Sequence, residues 1–296
     1  MSVENNEAVC PCCASCGIAE IDNVKLKDCD GCDLVRYCSD ECMEDHKSEH
    51  EDECKKRAAE LRDELLFKQP EGTHWGDCPI CSLPLPLDLQ KIVSMNCCSK
   101  FICNGCDYAN QKRERKMRLR QSSCPFCREP VPFTDEGCEK QRMKRVEVND
   151  PVALCQEGVQ QGNKGEYIMA FKYFTMASEL GDAEAHCRLH IMYHCGLGVE
   201  VDKRKEVYHL EEAAIGGHLF ARYSLGIEEE VFKDNYERAV KHWIIAATLG
   251  DNDSIKKLMD AFRDGFIEKE DLAAALRAHK AAVDATKSPQ RAAAEM

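Results

Sequence analysis

The sulfur and imidazole side chains of this sequence occur in closely spaced pairs, the arrangement by which proteins hold zinc. A first block contains four pairs: Cys13 and Cys16, Cys29 and Cys32, Cys38 and Cys42, His50 and Cys54. A second block contains four more: Cys78 and Cys81, Cys97 and Cys98, Cys103 and Cys106, Cys124 and Cys127. A structural zinc ion takes four nitrogen or sulfur ligands, so each block predicts two ions, about four per chain.

The overall composition favours metal binding over disulfide bonding. Of the 21 cysteines, only four follow Cys127. The first residues are polar, without the apolar core of a secretion signal, and no stretch of about 20 apolar residues could span a membrane. We therefore expect thiolates in a reducing compartment, in a cytoplasmic or nuclear protein. The formal net charge of −13 disfavours nucleic acid and predicts protein partners instead.

A helix must position the later ligands of the first block. Residues 39–56 contain neither proline nor glycine, which predicts a helix capped by Ser39 or Asp40. Residues four apart share a helix face. Cys38 and Cys42 can therefore bind one ion at the start of this helix, and the pair of His50 and Cys54 can bind another at its far end.

The first block, with its run RYCSDECMEDHKSEHEDEC, resembles the MYND zinc finger. In that family the ligand pairs interleave, and the family docks short peptide motifs of partner proteins. The alternatives are a shifted register that pairs Cys10 with Cys13, or redox thiols at chance spacing; we assign no role to Cys10 and Cys12. We expect His46 to lie beside the ligands rather than among them. The resemblance implies one site of Cys13, Cys16, Cys38 and Cys42 and another of Cys29, Cys32, His50 and Cys54.

The second block, which opens with CPIC and closes with CPFCR, resembles a RING finger. Lys100 stands where that family usually has a histidine, so we interpret the block as an all-cysteine variant. Adjacent Cys97 and Cys98 need a bent backbone to share an ion, and one of them could be a spectator; a PHD-type or unrelated finger is the alternative. The resemblance implies one site of Cys78, Cys81, Cys103 and Cys106 and another of Cys97, Cys98, Cys124 and Cys127.

RING fingers act as ubiquitin ligases without a nucleophile of their own, because they hold a ubiquitin-conjugating enzyme with its thioester-linked ubiquitin in a reactive pose. The family's contact positions correspond to Ile80, Pro125 and Arg128, whose guanidinium can donate to several carbonyls at once. The alternative is that Ile80 and Pro125 only pack the finger and that Arg128 is solvated. The basic run 112–120 is expected on a helix, as a solvated face, an acidic-partner contact or a nuclear-import signal.

The rest of the chain contains a repeat. The stretches Ala177–Ala185, Ala213–Ala221 and Ala246–Ser254 share their alanine and glycine positions, which predicts stacked helix pairs. Gly196 and Gly198 mark a turn and Asp202 a helix cap, a pattern that resembles Sel-one-like repeats. We expect about three repeats, followed by two closing helices. His186, His190 and His194 share a helix face, but we do not expect a metal there.

The predicted fold is a pair of small zinc-stabilised α+β modules followed by an all-α helical-repeat solenoid. The leading hypothesis for function is a RING-type ubiquitin ligase that recruits substrates through its MYND finger and repeats. The alternative is a non-catalytic scaffold that binds proteins through all three modules. The predicted boundaries are a MYND-like finger at 1–56, a helix and linker at 57–73, a RING-like finger at 74–134, a linker at 135–149, repeats at 150–287 and a flexible tail at 288–296.

Overall fold

The computed structural model describes residues 12–16, 18, 20, 25–119 and 121–295. The chain divides into two compact units, Met1–Lys68 and Gln69–Met296. The first contains one Cys-rich block, and the second contains the other block together with the repeats. Cys10 lies outside the described residues. None of the helices in the described ranges is long and apolar enough to cross a membrane.

The first unit is a small hairpin followed by a long helix. Strands β1 (Lys27–Asp28) and β2 (Arg36–Tyr37) pair antiparallel, and helix α1 spans Asp40–Phe67. The Ser39 hydroxyl accepts a hydrogen bond from the Cys42 amide at 3.2 Å, so the predicted N-cap is confirmed. The helix and the segment expected to link it onward form one continuous helix, because the stretch between them contains no breaking residue.

The second Cys-rich block is a hairpin packed on a helix. Strands β3 (Ile92–Met95) and β4 (Lys100–Cys103) pair antiparallel, and helix α2 spans Asn104–Lys116. The small core beneath them contains Ile102, and the Trp75 and Phe101 rings meet edge to face with centroids 4.9 Å apart. Because Met95 pairs with Lys100, the turn between the strands is short, and it carries Cys97 and Cys98.

The remaining residues form an array in which each helix packs against the next, except for the short last helix, which packs against α2. Asp150, Asp182, Asp202 and Asp251 cap four of them through their carboxylates, and Gly196 ends one with a φ of 70°. The helices are α3 (Asp135–Val146), α4 (Pro151–Asn163), α5 (Tyr167–Glu179), α6 (Ala183–Cys195), α7 (Lys203–Ile215), α8 (Leu219–Phe232), α9 (Tyr236–Thr248), α10 (Asn252–Arg263), α11 (Lys269–Ala285) and α12 (Pro289–Ala293).

Two expectations about the segments between modules are corrected. Residues 135–149 are mostly helix α3 rather than a linker, and Arg142 of that helix pairs with buried Glu157 at 2.9 Å. Residues 288–295 are not a loose tail, because Pro289–Ala293 forms helix α12 and packs against α2. In both segments a polar sequence is ordered by partners that are distant along the chain.

The repeats are built from small residues facing large ones, as predicted. Ala177, Ala213 and Ala246 are fully buried, and Phe174, Leu210 and Trp243 fill the space beside them. Pairing a small residue with a large one allows neighbouring helices to approach closely. The contact is tightest where Gly226 of α8 faces the Trp243 ring of α9, because a Cβ at Gly226 would collide with that ring.

Replacement of Gly226 by alanine is expected to overpack this contact. Since Trp243 is fully buried and has no room to move, we expect Gly226→Ala to lower the free energy of unfolding by about 1–3 kcal/mol. Gly162→Ala is the matched control, because its new methyl group meets nothing closer than 3.8 Å. Urea unfolding followed by circular dichroism measures both, and equal stability of the two variants would contradict the packing argument.

Candidate metal centres

The structure gathers the sixteen sequence-predicted ligands into four groups of four. Within each group the ligand atoms lie within 4.8 Å of one another. The pairs interleave in both blocks, the first with the third and the second with the fourth. The groups are Cys13, Cys16, Cys38 and Cys42; Cys29, Cys32, His50 and Cys54; Cys78, Cys81, Cys103 and Cys106; Cys97, Cys98, Cys124 and Cys127.

The distances between sulfur atoms fit tetrahedral zinc. With zinc–sulfur bonds of about 2.3 Å, two thiolates on one ion lie about 3.8 Å apart. Each of these four groups can hold zinc on this criterion. The sulfur separations include 3.5 Å for Cys16 and Cys38, 3.7 Å for Cys29 and Cys54, 3.9 Å for Cys81 and Cys103, and 3.8 Å for Cys98 and Cys124.

The imidazole ligand of the first unit is held firmly. His50 is buried, and its Nε2 lies 3.1 Å from the Cys32 sulfur. The His46 ring stacks on the His50 ring at a centroid distance of 5.8 Å, and its Nδ1 is hydrogen-bonded to the Tyr37 hydroxyl at 3.1 Å. His46 therefore lies beside the ligand rather than within the group, and it limits how the His50 ring can rotate.

The second block opens and closes with the same backbone turn. In the opening turn the Cys78 amide donates to the Leu83 carbonyl at 2.9 Å, and the Ser82 amide donates to the Cys78 carbonyl at 2.8 Å. In the closing turn the Cys124 amide bonds at 2.8 Å to the carbonyl five residues on, and the Arg128 amide bonds to the Cys124 carbonyl at 2.9 Å. Ser82 and Arg128 both have positive φ, 53° and 69°. Each of these tight turns therefore directs the two sulfurs of its own cysteine pair toward a common point.

The adjacent cysteines obtain their bent backbone from the β3–β4 turn. The Cys98 amide bonds to the Met95 carbonyl at 3.2 Å, and Ser99 has a φ of 54°. The two sulfurs consequently converge: Cys97 lies 3.3 Å from the Cys127 sulfur, and Cys98 completes the same group. The geometry therefore brings both cysteines into the same candidate group.

A buried carboxylate fastens helix α2 to the last ligand pair. Glu114 accepts hydrogen bonds from the Ser122 hydroxyl at 2.7 Å and from the Ser123 hydroxyl and amide at 2.8 and 3.0 Å. Burial alone would raise the pKa of Glu114, but these donors outweigh it and lower the pKa to about 2. The group is ionised at neutral pH, and it anchors the chain that leads into Cys124.

Helix α12 packs beside the group of Cys78, Cys81, Cys103 and Cys106 and bonds to it through Arg291. Arg291 is only 4% exposed, and its guanidinium donates to the Pro84 and Leu83 carbonyls at 2.7 and 3.2 Å and to the Cys81 sulfur at 3.5 Å. Gly105 makes room for it, since a Cβ there would lie 2.9 Å from the Arg291 backbone. The sequence does not predict this contact, because its partners are far apart along the chain and no local spacing marks them.

The other residues singled out in the sequence stand apart from these groups. Ile80 and Arg128 are exposed and Pro125 is half-buried, all three in the two tight turns. His186, His190 and His194 share a face of α6 but have different partners: the His209 ring, the Glu206 carbonyl and the Glu206 carboxylate. Sequence reasoning misses one further group, in which His74, Glu184 and His218 bring their ligand atoms within 4.8 Å of one another.

Comparison with known families identifies two of the three modules. The MYND finger model matches residues 13–54, and the Sel1 repeat model matches 154–182, 183–218 and 219–251. The MYND finger implies zinc binding, and the chain is a zinc-finger region followed by a helical Sel1 repeat solenoid. Both modules generally mediate protein–protein interactions. Neither match extends into the second Cys-rich block.

Several solved structures resemble part of the chain. A Sel1 repeat protein from Oxalobacter formigenes has 23% identity and a TM-score of 0.45 over 51% of this chain and 47% of its own. A protective antigen of uropathogenic Escherichia coli with an SLR fold has 19% identity and a TM-score of 0.38 over 56% and 36%. An immunity protein from Pseudomonas aeruginosa has 19% identity and a TM-score of 0.34 over 54% of this chain and 62% of its own. This chain thus covers less than two thirds of each, and no curated protein matches it.

Loss of one adjacent cysteine is expected to empty one site. Cys98→Ala leaves three thiolates on the fourth group, so we expect one zinc fewer per chain than in the wild type after dialysis against a chelator of intermediate affinity. Mass spectrometry under native conditions counts the ions. Cys195→Ala is the control, since this exposed cysteine lies outside the four groups. A zinc count unchanged by Cys98→Ala would exclude it as a ligand.

Loss of the Arg291 guanidinium is expected to destabilise the contact between α12 and the second Cys-rich block. Arg291→Ala leaves buried carbonyls without their donor, which predicts a loss of about 1–3 kcal/mol of unfolding free energy. Fluorescence of Trp75 and Trp243, which both lie in the second unit, follows the transition. Lys287→Ala is the control, because its ion pair with Asp284 is exposed and contributes little. If the two variants have the same free energy of unfolding, the Arg291 hydrogen bonds do not contribute to stability.

Proposed function

We propose that the chain is a RING-type ubiquitin ligase whose second Cys-rich block binds a ubiquitin-conjugating enzyme, while the MYND finger and Sel1 repeats bind the substrate. The observation that supports this best is the interleaving of eight cysteines into two groups around one hairpin and one helix. That arrangement spaces the two tight turns at fixed positions on one small module. In the RING fingers that the block resembles, these turns form the contact with the conjugating enzyme.

The exposed residues of the two turns suit such a contact. Ile80 is 41% exposed in the opening turn, and Phe126 is 45% exposed in the closing turn next to half-buried Pro125. Apolar side chains held out by a rigid metal-bound turn can be buried by a partner at low entropic cost. Arg128 follows the last ligand, and its exposed guanidinium offers several donors in a fixed fork.

The proposed reaction needs no nucleophile from this chain. The acyl group of ubiquitin is carried as a thioester on the conjugating enzyme and passes to a lysine amine of the substrate. The second block would act by holding the thioester-linked ubiquitin in one pose, with Arg128 donating to carbonyls of the enzyme and of ubiquitin. Restricting the reactants to one geometry is itself a source of rate enhancement.

Two surfaces support the recruitment of protein partners. In the first unit a groove of about 730 Å³ runs along α1, and Met43, Glu44 and Lys47 line it together with the candidate zinc ligands Cys29, His50 and Cys54. Its size and mixed lining suit a short peptide segment. The repeats add exposed apolar side chains, among them Phe232, to which a folded partner could bind.

Substitution of the turn residues tests the ligase directly. We expect the full chain to form ubiquitin chains with at least one member of a panel of conjugating enzymes, and both Ile80→Ala and Arg128→Ala to reduce the rate at least about tenfold, because each removes a contact made in the reactive complex. The measurement is self-ubiquitination in a purified system.

Two control variants separate loss of contact from loss of fold. Leu89→Ala removes an apolar side chain that is 61% exposed, and Lys100→Ala removes an exposed cation, both within the same block but outside the tight turns. Both controls should retain activity, and all four variants should retain their zinc. If the wild type forms no chains with any conjugating enzyme, the ligase proposal fails, and a scaffold that only binds proteins remains.

A further inference from the structure

A cluster of two histidines and a carboxylate joins three separate stretches of the second unit. His74 precedes the second Cys-rich block, Glu184 lies in the first turn of α6, and His218 caps α8. The His74 and His218 rings stack with centroids 4.2 Å apart, and the His74 amide donates to the Gly217 carbonyl at 3.1 Å. The backbone therefore holds both rings beside the same carboxylate.

The ligand atoms have the separations of a metal site. Glu184 Oε2 lies 3.0 Å from His218 Nε2 and 3.7 Å from His74 Nε2. Nitrogen and oxygen ligands at about 2.0–2.1 Å from a tetrahedral zinc ion lie about 3.4 Å apart, midway between these distances. The other oxygen of Glu184 is held by Arg188 at 2.6 Å, which fixes the direction in which Oε2 points.

His74 has no hydrogen-bond partner for its ring. Its side chain is only 9% exposed, and neither Nδ1 nor Nε2 makes a hydrogen bond. A buried polar group of this kind is costly unless it is satisfied. A second histidine and a carboxylate at its Nε2 form the environment that a cation would complete.

We propose that His74, Glu184 and His218 form a binding site for a divalent transition-metal ion such as Zn²⁺, separate from the four cysteine-rich groups. Burial lowers the pKa of His74, so its ring is neutral at pH 7, the form that ligates metal. The pKa of Glu184 lies well below its usual range: burial opposes this, but its hydrogen bond with His218 and the nearby Arg188 cation outweigh the effect of burial, so the group is a carboxylate. The donor set is two nitrogens and one oxygen.

Binding has one local consequence at His218. Its Nδ1 accepts a long hydrogen bond from the Ala221 amide at 3.3 Å, and a metal on Nε2 places the ring proton on Nδ1, so this bond opens. All three ligands line a cavity of about 680 Å³, from which water or a ligand atom can take the fourth position. The ion would join the start of the Cys-rich block to both ends of the second repeat, at the first turn of α6 and at the cap of α8.

A zinc titration tests the site on the full chain. Zn²⁺ is added, in competition with a chelating dye, to protein whose cysteine groups are already loaded. We expect the wild type to bind one further equivalent, and His74→Ala and Glu184→Gln to weaken that step at least about tenfold. His194→Ala is the control, because this histidine is exposed and lies outside the cluster, and it should bind as the wild type does.

Co²⁺ added in place of the further zinc equivalent identifies the ligand type. Binding at the proposed site gives weak visible bands without thiolate charge-transfer absorption, and His74→Ala removes them. Unchanged cysteine-bound zinc in each variant confirms that it is folded. The proposal is overturned if the wild type takes up no further equivalent at micromolar Zn²⁺, if both variants bind as tightly as the wild type, or if the bound Co²⁺ shows thiolate absorption.

Discussion

Convergence of thiolates on shared points is the constraint on which both Cys-rich blocks depend. Each block has only a few buried apolar side chains, such as Leu26 and Tyr37 in the first and Leu85 and Ile102 in the second. Cores of this size do not hold a small domain together. Metal–thiolate bonds at the four candidate groups would supply the missing free energy, because the ligands are gathered only in the folded chain. Interleaving the pairs then ties the two ends of each block to its middle.

The repeats are stabilised on a different principle, by close packing of helices. Buried alanines face bulky side chains, and aspartate side chains cap the helix N-termini. Each helix pair buries its apolar face only against the neighbouring pairs, so the stability of each depends on its neighbours. Helix α3 at one end and helices α10 and α11 at the other extend the packing beyond the three matched repeats. We therefore expect two kinds of stabilisation in one chain, the first sensitive to chelators and the second to changes of side-chain volume.

Short-range spacing encodes those features that the sequence alone predicts. A pair of cysteines with two residues between them requires a tight turn, so the ligand pairs are visible in the sequence, and the family resemblances assign them to groups. The alanine and glycine pattern likewise marks the repeats. Features that depend on distant partners have no such local signal. Arg291 contacts the Cys81 sulfur although most of the second unit's sequence lies between them, and His74 meets Glu184 and His218 only in the folded unit. For the same reason, the polar residues of α3 and α12 look like linker and tail in the sequence.

These distant contacts bear on how the second unit works. The Cys-rich block contacts the rest of the second unit at several separate places. Gln156 of α4 bonds to Ser94 of β3, the His74 amide donates to the Gly217 carbonyl, and Arg291 of α12 donates to the Pro84 carbonyl beside the opening turn. Contacts spread around a small module resist its rotation more than one contact would. A partner bound on the repeats would therefore be held at a fixed distance from Ile80 and Arg128. For the proposed ligase, that distance would select which substrate lysines meet the thioester, so specificity would follow from the rigidity of this unit as well as from the binding surface itself.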